Sequence, residues 1–243
     1  MKAKYVYSSH SLVSLIMANR GSDHIWDGES FKSHKPLNTM HISWLGSTTF
    51  KIQTKPLSDD VMVLLDPYKP AHGEFPRSLA ADIVIGTQGN NNLVQISGSP
   101  FVLSSPGECE TKGVLMTATS SQTPGQTVVR LDSEQLSIGF LGNASKPLND
   151  QEMEVVTGVD ILFVPVGGEN SYDAETAVKM VNGIEPRIVI PMGQRSENNP
   201  NAADVSAFVK AIGLKADEPQ TKVILKKKDL PQDEMRVILF EKE

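Results

Sequence analysis

The sequence predicts an α/β (α+β) protein: an αββα sandwich of two mixed β-sheets flanked by helices. Two observations carry this. From residue 40 to 141 the chain is a succession of short apolar stretches punctuated by Gly, Pro, Ser and Asn, the pattern of hairpin-linked strands. After residue 141 apolar strands alternate with amphipathic helical segments, the pattern of β-α-β units. At 243 residues the chain is long enough for one domain with a substantial core, and from residue 40 onward no Pro/Gly/Ser linker divides it.

Residues 1–39 are rich in Ser, His, Lys, Asp and Gly, show neither period 2 nor period 3.6, and read as a loosely ordered extension. Met40 opens the first clear strand, so residues 40–243 are expected to be the domain and Met40 its functional start. The apolar patch at 12–18 is broken by Ser14 and falls short of the roughly 20 residues of a membrane span. Asn19-Arg20 after it is a poor context for signal cleavage.

Strands are expected at 42–45, 50–53 and 61–65, with Gly46-Ser47 as a turn and Asp66-Pro67 closing the third. Further strands are expected at 82–86, 101–103, 113–118, 127–131 and 136–141. Asn149 or Asp150 caps a helix through Val156, a strand follows at 160–164, and Asp173 caps a helix over 174–182 that Gly183 ends. A strand at 187–191, a helix over about 203–212 stopped by Gly213, and strands at 222–225 and 235–240 complete the chain.

Hydrophobic residues make up 39% and charged residues 21%, the composition of a soluble globular protein. A net charge of -6 argues against nucleic acid and anionic membranes as partners, since both demand a clustered basic face. A single cysteine, Cys109, excludes an internal disulfide and a thiolate metal cluster, and fits a cytoplasmic protein. The five histidines, His10, His24, His34, His41 and His72, nowhere show the spacing of a metal site.

The strand at 82–86 runs into Thr87-Gln88-Gly89-Asn90-Asn91-Asn92, a loop of amides. Around it, short segments in a fixed order resemble the metallo-β-lactamase superfamily, and within it the branch of small metal-dependent hydrolases that includes the ascorbate-phosphate lactonases. These are Trp44-Leu45-Gly46 with Phe50, Leu65-Asp66-Pro67, Ala81-Asp82-Ile83-Val84, and Pro106-Gly107-Glu108 with Lys112-Gly113. Leu141-Gly142, Val164-Pro165-Val166-Gly167-Gly168 with Asp173-Ala174, Ile188-Val189-Ile190-Pro191-Met192 and Lys228-Asp229-Leu230-Pro231 continue the series. Each is weak alone, but together they are a strong fold signal.

The resemblance implies a zinc or manganese centre and a hydrolase. At the positions where relatives carry His, His, Asp and His, this chain has Gln88, Asn90, Asn92 and Leu93. Asn143 stands for the metal-bridging aspartate, Gly193 for the last histidine, and Ser47 for the histidine after Trp-Leu-Gly; residues 119–123 supply none. Neutral amides lack the charge that offsets stripping an ion of its water, so no metal cofactor is expected. The expectation is a non-catalytic pseudoenzyme with a binding or regulatory role; the alternative is a metal-dependent lactonase, esterase or phosphodiesterase. A third reading is a metal-free enzyme using Glu108, Lys112 or Asp66.

Ser47, Asp66, Thr87, Glu108, Lys112 and Gln194 are the candidate pocket residues. With the amides they could bind a small polar ligand such as a sugar or sugar phosphate; the competing reading is that the amides satisfy one another and nearby backbone. Glu108 and Lys112 read as an ion pair, and Cys109 as a buried structural thiol. Association into a homo-oligomer is common in such relatives, and no interface is visible in the composition.

Overall fold

The computed structural model describes residues 39–243; apart from Thr39, the expected N-terminal extension lies outside the described residues. The first part contains β1 (Met40–Gly46), β2 (Thr49–Thr54), β3 (Val61–Leu65), β4 (Leu79–Ala80), β5 (Ile83–Ile85), β6 (Ile96–Ser97) and β7 (Phe101–Leu103). It continues with β8 (Gly107–Thr111), β9 (Val114–Ser120), β10 (Thr127–Ser133) and β11 (Leu136–Phe140). The second part alternates: α1 (Asp150–Val156), β12 (Ile161–Pro165), α2 (Ala174–Ile184), β13 (Ile188–Met192), α3 (Val205–Ile212), β14 (Lys222–Leu225) and β15 (Arg236–Val237).

Two mixed sheets result, with orders β14-β1-β2-β3-β5-β7 and β15-β13-β12-β11-β10-β9-β8, and β4 and β6 form a separate short ribbon. These are the two packed mixed sheets that the sequence predicts, with the α-helices among the described residues gathered on the side of the second sheet. Which faces are apolar explains the layering. Met40, Ile42 and Trp44 of β1 and Phe50 and Ile52 of β2 point into the core between the sheets. β12 and β13 are buried along their whole length, as strands of a parallel pair covered on both faces must be. Ile161, Phe163, Ile188 and Ile190 face the inter-sheet core, while Leu162, Val164 and Val189 meet Val156, Met180, Val181, Ile184 and Phe208 of the helices.

α1 and α2 pack on the second sheet and α3 on α2. The outer face of the first sheet has little apolar surface to cover. Leu45, Leu64 and Val84 suffice for it, and Phe75, Leu79, Ala81, Leu93 and Ile96 from the connecting segments close over them. No helix among the described residues is long and apolar enough to cross a membrane.

Several boundaries differ from expectation for local reasons. α2 runs through Gly183 and ends at Glu185, which takes the left-handed conformation with φ 57°. A Cβ at Gly183 would lie 3.3 Å from Met153 Cε, so this glycine serves the contact with α1 and does not stop the helix. α1 is capped by Asn149 in a reciprocal box with Glu152. α3 starts at Val205 behind the cap Asp204 and does end at Gly213. β8, with the sequence Gly-Glu-Cys-Glu-Thr, is an edge strand without a run of large apolar residues to betray it. The closing strand is short, Arg236–Val237, followed by single bridges at Phe240 and Lys242.

Aromatic rings join the two sheets. Phe50 of the first sheet meets Phe163 of the second edge-on, with 4.7 Å between ring centres, and Phe240 and Phe140 extend the cluster at 5.7 and 5.8 Å. Phe163→Ala should therefore lower the unfolding free energy by about 3–5 kcal/mol. Urea denaturation checks this, and a loss below about 1 kcal/mol would show that the rings do not organise the inter-sheet core.

Candidate active-site mouth

The loops that follow β3, β5, β11, β12 and β13 gather at one end of the sandwich, the carboxyl ends of its parallel strands, where open α/β sheets form binding crevices. Asp66 is the centre of this end. It follows β3 with φ 45° and is fully buried. Its amide donates to the Ile85 carbonyl at 2.7 Å, and its carboxylate accepts the Thr87 amide at 2.7 Å and the Thr87 hydroxyl at 2.8–2.9 Å. The Thr87 carbonyl in turn accepts the Thr127 amide of β10 at 2.8 Å, so the pair spans both sheets. A Cβ at Gly142 would stand 2.4 Å from Thr87 Oγ1, which is why only glycine fits in the turn after β11.

Tyr68 fixes the amide loop. Its hydroxyl donates to the Gly89 carbonyl at 2.8 Å and accepts the Gln88 amide at 2.7 Å. Opposite, Asn198 Nδ2 donates to the carbonyls of His72 and Glu74 at 2.8 and 3.0 Å, and Lys242 bonds Glu74 and Glu197 at the same seam. Asn198 Oδ1, buried and without a partner among the described residues, lies 2.0 Å from where a Gly46 Cβ would be.

These loops enclose a cavity of about 200 Å³. Of the residues singled out in the sequence, Ser47, Asp66, Gln88 and Asn143 line it, and Thr87 backs it through Asp66. Gly193 lies just outside, donating its amide to the Ser47 carbonyl at 3.1 Å. Asn90 and Asn92 are exposed beyond the Tyr68 clamp, with Asn92 left-handed at φ 65°, and Leu93 pairs with Tyr68 and packs on the first sheet. Gln194 is buried with Oε1 unpartnered among the described residues and does not line the cavity. The side chains of Gln88, Asn90, Asn92 and Asn143 do not bond one another or any other described residue, so the amides do not satisfy one another.

Glu108 and Lys112 are corrected by the structure. They do not pair, and neither lines the cavity. Lys112 sits in the turn between β8 and β9 at φ 52°, off the line of the strand, and pairs with Asp82, whose carboxyl it holds below the usual carboxylate range. Cys109 packs against the inter-sheet core, and burial pushes its thiol up, as suits a structural role. Thr48, Tyr68 and Asn198 are not legible as site residues in the sequence.

A zinc or manganese ion does not fit the donors present. Among the described residues no three His, Cys, Asp or Glu side chains are grouped to hold a metal. The carboxylate at the cavity floor, Asp66, is occupied by Thr87, and neither His41 nor His72 reaches the wall.

Burial pushes the Asp66 carboxyl up to about 7, against the opposing pull of hydrogen bonds from Thr87 and Thr48. An unfolded aspartate titrates near 3.9, so the folded chain keeps a proton that the unfolded chain releases. The stability this confers is complete below about pH 4 and is lost as pH rises through about 7, a change of ~4 kcal/mol. Asp66→Asn, which cannot titrate, should flatten the fall in melting temperature between about pH 5 and pH 8. Parallel melting curves of the two proteins across that range would refute the assignment.

Residues 41–193 match the β-lactamase superfamily domain. Among solved structures, the chain is similar to a candidate Zn-dependent hydrolase of the metallo-β-lactamase superfamily from Thermotoga maritima, with TM-score 0.69 and 22% identity over 83% of this chain and 100% of that one. It is also similar to a metallo hydrolase from Ignicoccus hospitalis, with TM-score 0.57 and 15% identity over 77% of this chain and 99% of that one. A candidate metal-dependent hydrolase from Veillonella parvula aligns with TM-score 0.55 and 12% identity over 78% of this chain and 99% of that one. At such identities these structures speak for the fold alone. With the fold, the ordered segments and the domain match in agreement, the chain belongs to the metallo-β-lactamase superfamily.

Proposed function

We propose that this chain is a metal-free member of its superfamily that binds a small polar molecule at the mouth of the sandwich and does not hydrolyse it. One observation carries the reading: the loops that relatives use for metal ligands still meet at a cavity, but Gln88 and Asn143 bring neutral amides to it, with side chains free of hydrogen bonds to other described residues. Such groups orient a ligand by hydrogen bonding and neither acidify a water nor act as nucleophiles at neutral pH. Glu108 and Lys112, away from the cavity, give a metal-free enzyme no support, and the carboxylate of Asp66 is taken up by the amide and hydroxyl of Thr87.

In this reading residues 40–243 are the working unit, a cytoplasmic setting suits the single thiol, and the net charge of -6 leaves nucleic acid and membranes out as partners. A homo-oligomer is compatible with it.

The rival is a metal-dependent hydrolase, which the metal-dependent neighbours of the fold favour. One experiment separates the two. The chain is expressed in medium supplemented with zinc and manganese, purified without chelator, analysed for metal and assayed on esters, lactones and phosphodiesters. The expected result is well under one equivalent of either metal and hydrolysis at the level of buffer. About one equivalent or more of chelator-removable metal, with hydrolysis that the chelator abolishes, would overturn the proposal.

A further inference from the structure

We infer that the mouth cavity takes a neutral, hydroxyl-rich single-ring molecule, a monosaccharide or cyclic polyol, in preference to a phosphorylated or aminated one. The inference rests on the metal-free binding reading and names the ligand class for the same site. Size comes first. About 200 Å³ lies below the roughly 300–1,000 Å³ of clefts that take drug-sized ligands, so the occupant is small.

The wall then selects its chemistry. Lys69 and Glu169 bring one charge of each sign, and the rest is mainly amides, hydroxyls and glycine backbone. Asn143 from the turn after β11, Gln88 from the loop after β5 and Asn170 from the turn before α2 make no side-chain hydrogen bonds among the described residues. Each amide offers both donors and an acceptor, and a hydroxyl answers both. A phosphate brings acceptors only, with about two negative charges, and meets one cation, Lys69, that Glu169 already balances. An ammonium brings donors only, so it answers the amide oxygens and leaves the amide N–H groups of Gln88, Asn143 and Asn170 without an acceptor, while Lys69 repels it as Glu169 attracts it. The half-buried ring of Phe75 and the ring of Tyr68 supply apolar surface for the C–H face of a ring-shaped polyol.

Calorimetric titration of the full chain tests this, with D-glucose, D-galactose, D-xylose and myo-inositol as neutral probes and D-glucose 6-phosphate and D-glucosamine as charged counterparts. At least one neutral probe should bind with Kd below about 10 mM, and at least about tenfold more tightly than either charged counterpart. Asn143→Ala should weaken that binding by about tenfold or more. Should this variant fail to fold, Gln88→Ala, at an exposed position, takes its place with the same expectation. Tighter binding of the phosphate or amine, or no neutral probe binding below about 10 mM, overturns the ligand class and leaves the metal-free reading standing. That reading fails separately, on the metal content and hydrolysis of the same preparation.

Discussion

The buried carboxylate of Asp66 and the threonine it holds are the constraint on which the mouth of this sandwich depends. Thr87 gives Asp66 its amide and its hydroxyl, passes its carbonyl to Thr127 in the opposite sheet, and leaves so little room beyond its hydroxyl that residue 142 can carry no side chain. One hydrogen-bonded pair thus ties the ends of β3, β5, β10 and β11 together. Without it the loops bearing Gln88 and Asn143 would have no common reference, and the cavity would have no floor. The desolvation that lifts the Asp66 carboxyl is the cost of burying that pair, offset in part by the donors around it.

In this fold the scaffold and the site are built from different parts of the chain. Strands, glycine turns and helix caps shape the mouth, and the loops between them bring the neutral amides of Gln88 and Asn143 to the cavity. Glycine at 167 illustrates how strongly the frame is kept: a Cβ there would come within 2.2 Å of the Gly193 carbonyl, so the ends of β12 and β13 approach as closely as backbones permit. The frame fixes the backbone from which the amides of Gln88 and Asn143 project, while their side chains keep their donors and acceptors uncommitted to other described residues.

Much of this architecture was legible in the chain because its strands are apolar runs with clear stops. β3, β7 and β14 fall where their residues put them, and the caps Asn149, Asp173 and Gly213 mark helix ends by side-chain and backbone chemistry alone. What escaped depends on distant neighbours. Gly183 reads as a stop until Met153 is seen against it, and β8 reads as a loop because an edge strand needs no apolar face. At the site, Ser47, Asp66, Gln88 and Asn143 were visible as positions, since they stand in recognisable segments. Asn198 acquires its role only by meeting the carbonyls of His72 and Glu74, more than a hundred residues away, which no local pattern encodes.

Gly193 sits at φ +69°, with open space beyond its missing side chain apart from the Thr48 methyl at 3.8 Å. A Cβ would fit there, yet a residue that carries one would have to hold a left-handed backbone at roughly 1–2 kcal/mol. Asn92 already carries a left-handed backbone, and its carbonyl is committed to the Lys69 amide. At both positions the main chain, not crowding, is what a side chain must satisfy, so backbone conformation filters which residues these two loops can carry before side-chain size begins to count.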